Sequence, residues 1–199
     1  MKNTTALTPL INYINNFIHL NQEEVNYIAS QVPIQKFNKG DFLLREGDIS
    51  KAFFFNLQGC LRLFYQAQDS EKTLFFYTEN QFITAYESFT KGKPSKYYIE
   101  CLEDSVVAVF SLETEMKLLN RFPKLELLVR LVMEEQLGIY QHIISSLVTL
   151  TPEERYNQLV DEYPQLIHRI PQYYLASYLG ITPESLSRIR KRLKDKIRS

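Results

Sequence analysis

The sequence predicts an α+β protein: N-terminal helices, an antiparallel β-sandwich or barrel, one long helix and a C-terminal helix-turn-helix. Three observations carry this. Apolar residues recur with helical spacing up to residue 32, give way to short aromatic and β-branched runs between residues 34 and 111, and return to helical spacing from Pro123. Turn signals (NKGD, EGDIS, LQGC, QDSEK, TEN, KGKPS) separate the short runs. Near the C-terminus a small residue, Ala176, and a glycine four positions later, Gly180, stand between two aliphatic stripes.

At 199 residues, 45% hydrophobic and with 13 Phe and 13 Tyr, the chain has the core material of a globular protein rather than a disordered one. No apolar run approaches the ~20 residues that a bilayer span requires. The opening MKNTTALTPLINYINNF is polar and broken by asparagine, unlike a signal peptide. A cytoplasmic protein with no membrane contact is therefore expected. Two cysteines, Cys60 and Cys101, are too few for a disulfide framework or a four-cysteine metal or cluster site. His19, His142 and His168 show no metal-ligand spacing, so neither a metal nor another cofactor is expected. No phosphate loop, nucleophile elbow or His-activated Ser or Cys is present, so no catalytic residue is assigned and an enzyme is not expected.

In chain order, LTPLINYINNFIHL and NQEEVNYIASQV read as helices. Asn21 caps the second, and Pro33 stops it. Eight strand-like runs follow: IQKFN, DFLLREG, AFFFNLQG, CLRLFYQAQ, KTLFFYTE, QFITAYES, KYYIECLE and SVVAVFS. From Pro123 to Leu150 a single helix of about 27 residues is predicted. Its apolar positions cover more than one face, so it is buried on two sides. The second side either pairs with another copy of the chain or lies within one core. Thr151 and Pro152 start the next helix, with Glu153 and Glu154 in its first turn. PQYYLASYLG and TPESLSRIRKRLKDKI complete the chain as two more helices around Gly180-Ile181.

The last pair has the internal chemistry of a helix-turn-helix. Leu175 and Leu179 flank Ala176, Ile181 plugs the turn, and Leu186, Ile189 and Leu193 line the second helix. Thr182 caps that helix and is itself a candidate for DNA contact. At ~100° per residue, Glu184, Arg188 and Lys191 lie opposite the aliphatic stripe, with Ser185, Ser187 and Arg192 beside them. From Pro183 onward seven basic residues face two acidic ones, a balance of +5 on a chain of net charge zero. Such a face suits duplex DNA. Glu184, Ser185, Ser187 and Arg188 are placed for base edges, and Lys191, Arg192, Lys194 and Arg198 for phosphates. Tyr173 and Ser177 on the first helix are further candidates for backbone contact.

These motifs resemble the Crp/Fnr family of bacterial transcription regulators over nearly the whole chain. YYLASYLGITPESLSRIRKRL is similar to its DNA-reading helix pair, and FNKGDFLLREGDISKAFFFNLQGCLRLFY to the start of its cyclic-nucleotide-binding β-roll. The resemblance implies an antiparallel β-roll of double-stranded β-helix or jelly-roll type with its flanking helices in residues 1–122. It implies a dimerisation helix over 123–149 and a helix-turn-helix DNA-binding domain over 150–199. It further implies a homodimer joined through the 123–149 helix, a palindromic double-stranded DNA operator and a small effector, with RNA polymerase as a further candidate partner. Pro183 stands where the family commonly places a first base-reading cation, and only PQLIHRIP stands where a β-hairpin wing is often found. Ile83-Thr84 and Pro94-Ser95 replace the family's Gly-Glu and Arg-Ser, which points away from cAMP, since no arginine is placed for its phosphate. Thr84, Tyr86, Glu87, Ser95 and Tyr97 are the candidate pocket for another effector. A β-roll whose helical tail contacts proteins rather than DNA is the alternative reading.

Overall fold

A computed structural model describes residues 5–198, excluding the side chains of Lys194 and residues 196–198. The phosphate contacts expected of Lys194 and Arg198 thus lie outside the described residues. Helices α1 (Thr8–Asn15) and α2 (Gln22–Gln31) come first. Asn21 caps α2 by accepting from the Glu24 N–H, and the Glu24 carboxylate returns to the Asn21 N–H, a reciprocal box.

Eight strands follow: β1 (Ile34–Phe37), β2 (Phe42–Leu44), β3 (Ala52–Gln58), β4 (Leu61–Gln66), β5 (Glu71–Tyr77), β6 (Phe82–Ile83), β7 (Tyr98–Cys101) and β8 (Ser105–Ser111). They form two four-stranded sheets, ordered β1-β8-β3-β6 and β2-β7-β4-β5. Register is antiparallel, with Ile34 opposite Ala108 and Phe54 opposite Val109. At the β3–β4 turn, Gly59 has φ 103°, and a Cβ there would come within 2.4 Å of Ser105 Oγ. Only glycine fits both demands. Arg62 on β4 is fully buried and paired with Glu100 on β7 at 2.8 Å. A charge taken out of water in this way requires its partner.

Two elements differ from expectation. QFITAYES is a strand only over Phe82–Ile83, and Tyr86–Lys91 forms helix α3, closed by Gly92 in the left-handed region. Tertiary contacts decide this: the buried Ser88 hydroxyl donates to the Lys93 carbonyl and accepts from the Ser50 N–H. After β8 an additional helix, α4 (Leu112–Arg121), precedes Pro123; Ser111 caps it by accepting from Thr114 N–H.

The chain divides into two compact units. One holds the chain up to Leu63 together with Phe76–Gln136, and the other holds Phe64–Phe75 together with the chain from Leu137. In the first, Leu10 and Ile14 of α1, Ile28 of α2 and Leu118 of α4 share one core with Phe55, Ala108 and Phe110 of the first sheet. Leu125, Leu128 and Val132, from the start of helix α5 (Leu125–Thr149), join it. The second holds the rest of α5, then α6 (Pro152–Glu162), α7 (Leu166–Arg169), α8 (Gln172–Leu179) and α9 (Pro183–Arg198). The short α7 occupies PQLIHRIP, so that segment is helical rather than a wing. Thr151 and Glu154 form a second capping box at α6.

Gly59→Ala combines a positive φ with overpacking against Ser105, and is expected to cost roughly 2–4 kcal/mol in urea unfolding. A second expectation concerns Glu24. Burial alone would raise its pKa, but Lys124 Nζ at 2.7 Å and the Asn21 N–H at 2.8 Å outweigh this and hold it below the ordinary range. The folded value lies below the unfolded one, so this stabilisation is complete above the unfolded pKa and is lost as pH falls through the folded pKa. Unfolding midpoints of wild type and Glu24→Gln should differ at neutral pH and converge in acid.

Candidate nucleic-acid interface and effector site

The outward face of α9 is set by what its other face buries. Leu186 is fully buried and Ile189 nearly so, against Leu175, Ala176 and Leu179 of α8. Gly180 adopts φ 71° and turns the chain between them. The Ile181 N–H reaches back to the Ala176 carbonyl at 3.0 Å and the Gly180 N–H to that of Ser177 at 3.1 Å, a Schellman closure. Thr182 Oγ1 accepts from the Ser185 N–H at 3.2 Å and caps α9. Pro183 opens the helix, where its missing N–H is harmless.

Glu184, Ser187, Arg188, Lys191 and Arg192 are exposed, and Ser185 is half-buried. Arg188 Nη2 donates to Ser185 Oγ at 3.2 Å, which ties two of the expected reading residues together. Hydrogen bonds from its own N–H and from the Thr182 hydroxyl, with Arg188 nearby, hold the Glu184 carboxyl below the usual range. It is therefore an ionised acceptor at neutral pH. Arg192 is committed elsewhere, on Glu153 of α6. Tyr173 is exposed, with its ring against that of Tyr174. Ser177 faces the tip of the β4–β5 hairpin: its hydroxyl accepts from the Thr73 N–H at 3.0 Å and donates to the Glu71 carbonyl at 2.9 Å. β5 ends its sheet, and Ser177 satisfies its edge as a neighbouring strand would.

Sequence reasoning missed Arg155, which donates to the carbonyls of Leu150 and Leu179. A faint signal existed: a cation near the start of a helix opposes that helix's dipole.

In the first unit, Glu87, Ser95 and Tyr97 come together with Ala85, Ser88, Pro94 and Lys96 around a cavity of about 20 Å³. Such a volume admits one water. Thr84 and Tyr86 do not line it; Thr84 Oγ1 is buried without a hydrogen-bond partner, and Tyr86 is exposed. Ser95 is buried, and its hydroxyl is engaged in a turn, donating to the Tyr97 carbonyl and accepting from the Tyr97 N–H. Glu87 pairs with Lys91 at 3.3 Å. Burial pushes the Cys101 thiol up to about 11, so it stays protonated and a poor nucleophile. Among the described residues no three His, Cys, Asp or Glu converge as a metal site, and no helix is long and apolar enough to cross a membrane.

Residues 34–122 match the cyclic nucleotide-binding domain family. No curated protein matches the chain. Among solved structures, FixK2 from Bradyrhizobium japonicum superposes with a TM-score of 0.71 at 14% identity, covering 83% of this chain and 85% of its own. The c-di-GMP-responsive global regulator CLP of Xanthomonas campestris gives 0.70 at 14% identity, covering 88% and 93%. A CooA mutant from Carboxydothermus hydrogenoformans gives 0.67 at 17% identity, covering 94% and 84%. The chain thus carries a cyclic nucleotide-binding domain over residues 34–122, in a fold shared with regulators of the Crp/Fnr family.

Proposed function

We propose that the protein is a sequence-specific DNA-binding transcription regulator of Crp/Fnr type, acting as a homodimer on a palindromic operator. The observation that carries this reading is the α8–α9 pair. Its aliphatic wedge is closed, and Glu184, Ser187, Arg188 and Lys191 stand open on the opposite face. A recognition helix reads base edges through its N-terminal half, where Glu184, Ser187 and Arg188 lie. Lys191, a turn further on, serves phosphate. The three organising segments are 1–122 for sensing, 123–149 for pairing and 150–199 for DNA.

The exposed side of α5 supports pairing. Met133, Leu137, Tyr140, Ile144 and Leu147 are exposed and repeat at alternating four- and three-residue steps. That is the spacing of a coiled-coil seam. A second copy of the chain offers the same stripe across a two-fold axis. Two such copies would present two α9 helices to a duplex, as a palindrome requires.

The β-roll is proposed to sense an effector other than cAMP. Pro94 stands where the phosphate-binding arginine is expected, the Ser95 hydroxyl is already bonded, and the cavity is far below the ~300 Å³ of ordinary ligand pockets. An effector larger than a water that binds between Glu87 and Tyr97 would have to widen this cavity. CLP, which is c-di-GMP-responsive, is a neighbour of this fold that responds to a nucleotide other than cAMP.

Selection of bound fragments from random DNA, with and without metabolite extract, tests DNA binding and effector dependence together. Recovery of no enriched sequence under either condition contradicts the proposal. On the selected operator, Arg188→Ala should cost about 1–3 kcal/mol and relax preference at one position. Lys191→Ala should weaken all sequences alike and lower the salt slope by about one. In sedimentation, Leu137→Glu combined with Ile144→Glu should halve the mass while leaving helicity unchanged, since both side chains are exposed in the single chain.

A further inference from the structure

One guanidinium holds two helix ends in the second unit. Arg155, in α6, is half-buried. Its Nη1 donates to the Leu150 carbonyl at 2.7 Å, and its Nη2 to the Leu179 carbonyl at 2.8 Å. Leu150 directly follows α5, and Leu179 is the last residue of α8. Carbonyls at helix C-termini lack intrahelical donors and gather partial negative charge. At α8 the Schellman closure uses the carbonyls of Ala176 and Ser177. The Leu179 carbonyl is left to Arg155.

The choice of residue follows from this geometry. A planar guanidinium presents donors in a fixed fork and can serve two acceptors at a set separation. A lysine ammonium is a point charge on a flexible stem. Arg155 also opposes the dipole of its own helix, close to the N-terminus of α6. Two foreign C-termini offset that cost.

The clamp spans a short joint. Only Leu150 and Thr151 separate the last residue of α5, Thr149, from the first of α6, Pro152. The same joint is bridged between α5 and α6 by Ser146 Oγ to Gln158 at 3.2 Å and by His142 to Glu162 at 3.5 Å; Arg155 extends that hold from the end of α5 to the end of α8. One carbonyl that Arg155 grips, Leu150, belongs to the joint itself, and the other, Leu179, ends α8.

We propose that Arg155 is a positioning residue: it locks the end of α5 to the α8–α9 turn and thereby sets the half-site spacing that the dimer accepts. The inference rests on the DNA-binding reading above. Two recognition helices must enter major grooves about one helical turn, ~34 Å, apart. An angular error at the end of α5 is carried out to α9. A residue that only stabilised the fold would change melting but leave spacing preference alone.

The test uses the full-length chain and the selected operator, rebuilt with its centre shortened or lengthened by single base pairs. Fluorescence anisotropy then compares wild type, R155M and R155K. Wild type should prefer one spacing. R155M should lose that preference by roughly tenfold or more, the ratio carried by one charge-assisted hydrogen bond. R155K, unable to fork onto both carbonyls, should fall between them, and it carries the comparison if R155M does not fold. A variant with wild-type helicity, wild-type dimer mass and an unchanged spacing preference overturns the inference. If wild type itself binds no selected fragment, the DNA reading fails, and the clamp is measured without DNA. Spin labels at S145C and D195C, with the native Cys60 and Cys101 buried, should give one narrow distance distribution in wild type and a broad one in R155K. Equal widths overturn the clamp as well.

Discussion

Helix α5 has more apolar surface than one neighbour can cover. Leu125, Leu128 and Val132 at its start enter the core of the first unit, beside Ile28, Leu118 and Phe110. Leu137, Ile144 and Leu147 further along are exposed. Burying a Leu or Ile side chain is worth about 1.5–3 kcal/mol, so such a stripe is a strong drive towards association. In the dimer proposed above, this free apolar side of the helix is where two copies would meet. The rest of the functional reading follows from this division. The roll is tied to the start of α5, and the helix pair follows from its end.

At the far end of α5 the interactions change in kind, from apolar burial to a few oriented charges. Arg155 grips two helix-end carbonyls. Glu153, two residues earlier, pairs with Arg192 of α9. The first turn of α6 therefore acts on both the α8–α9 turn and the second half of α9. Exposed ion pairs are worth little in stability. Arg155, forked onto two carbonyls, fixes an angle as well as a distance. Ser177 adds a third oriented contact, on the edge of β5. Together these contacts leave Glu184, Ser187, Arg188 and Lys191 as the open face.

The segment from Ile83 to Tyr97 shows why residue matching by position goes only part of the way. Glu87, Ser95 and Tyr97 were legible as candidates and do converge. Thr84 and Tyr86 do not line the same cavity, because the segment after Ile83 turns helical and carries Tyr86 outward. The alternation Phe82, Thr84, Tyr86 reads as strand when taken alone. Ser88, bonded to the loops at Ser50 and Lys93, decides otherwise through contacts distant in sequence. The helix after Ser111 was missed for a different reason. Its cap and acidic first turn were present, but it follows β8 with no breaker between them.

Local chemistry determined the capping boxes at Asn21 and Thr151, the turn glycines, the eight strands, the long helix and the buried stripe of α9. Each depends on residues a few positions apart, so each is written in the pattern. The tertiary structure alone decided the rest. It placed Arg62 on Glu100, Arg192 on Glu153, Ser177 on the edge of β5, and Arg155 between the ends of two helices. It also grouped the tip of the β4–β5 hairpin with the C-terminal helices. These are contacts of single polar atoms whose partners lie far along the chain or on the backbone. A backbone carbonyl has no identity in the sequence, and so no pattern of side chains can announce which cation will find it.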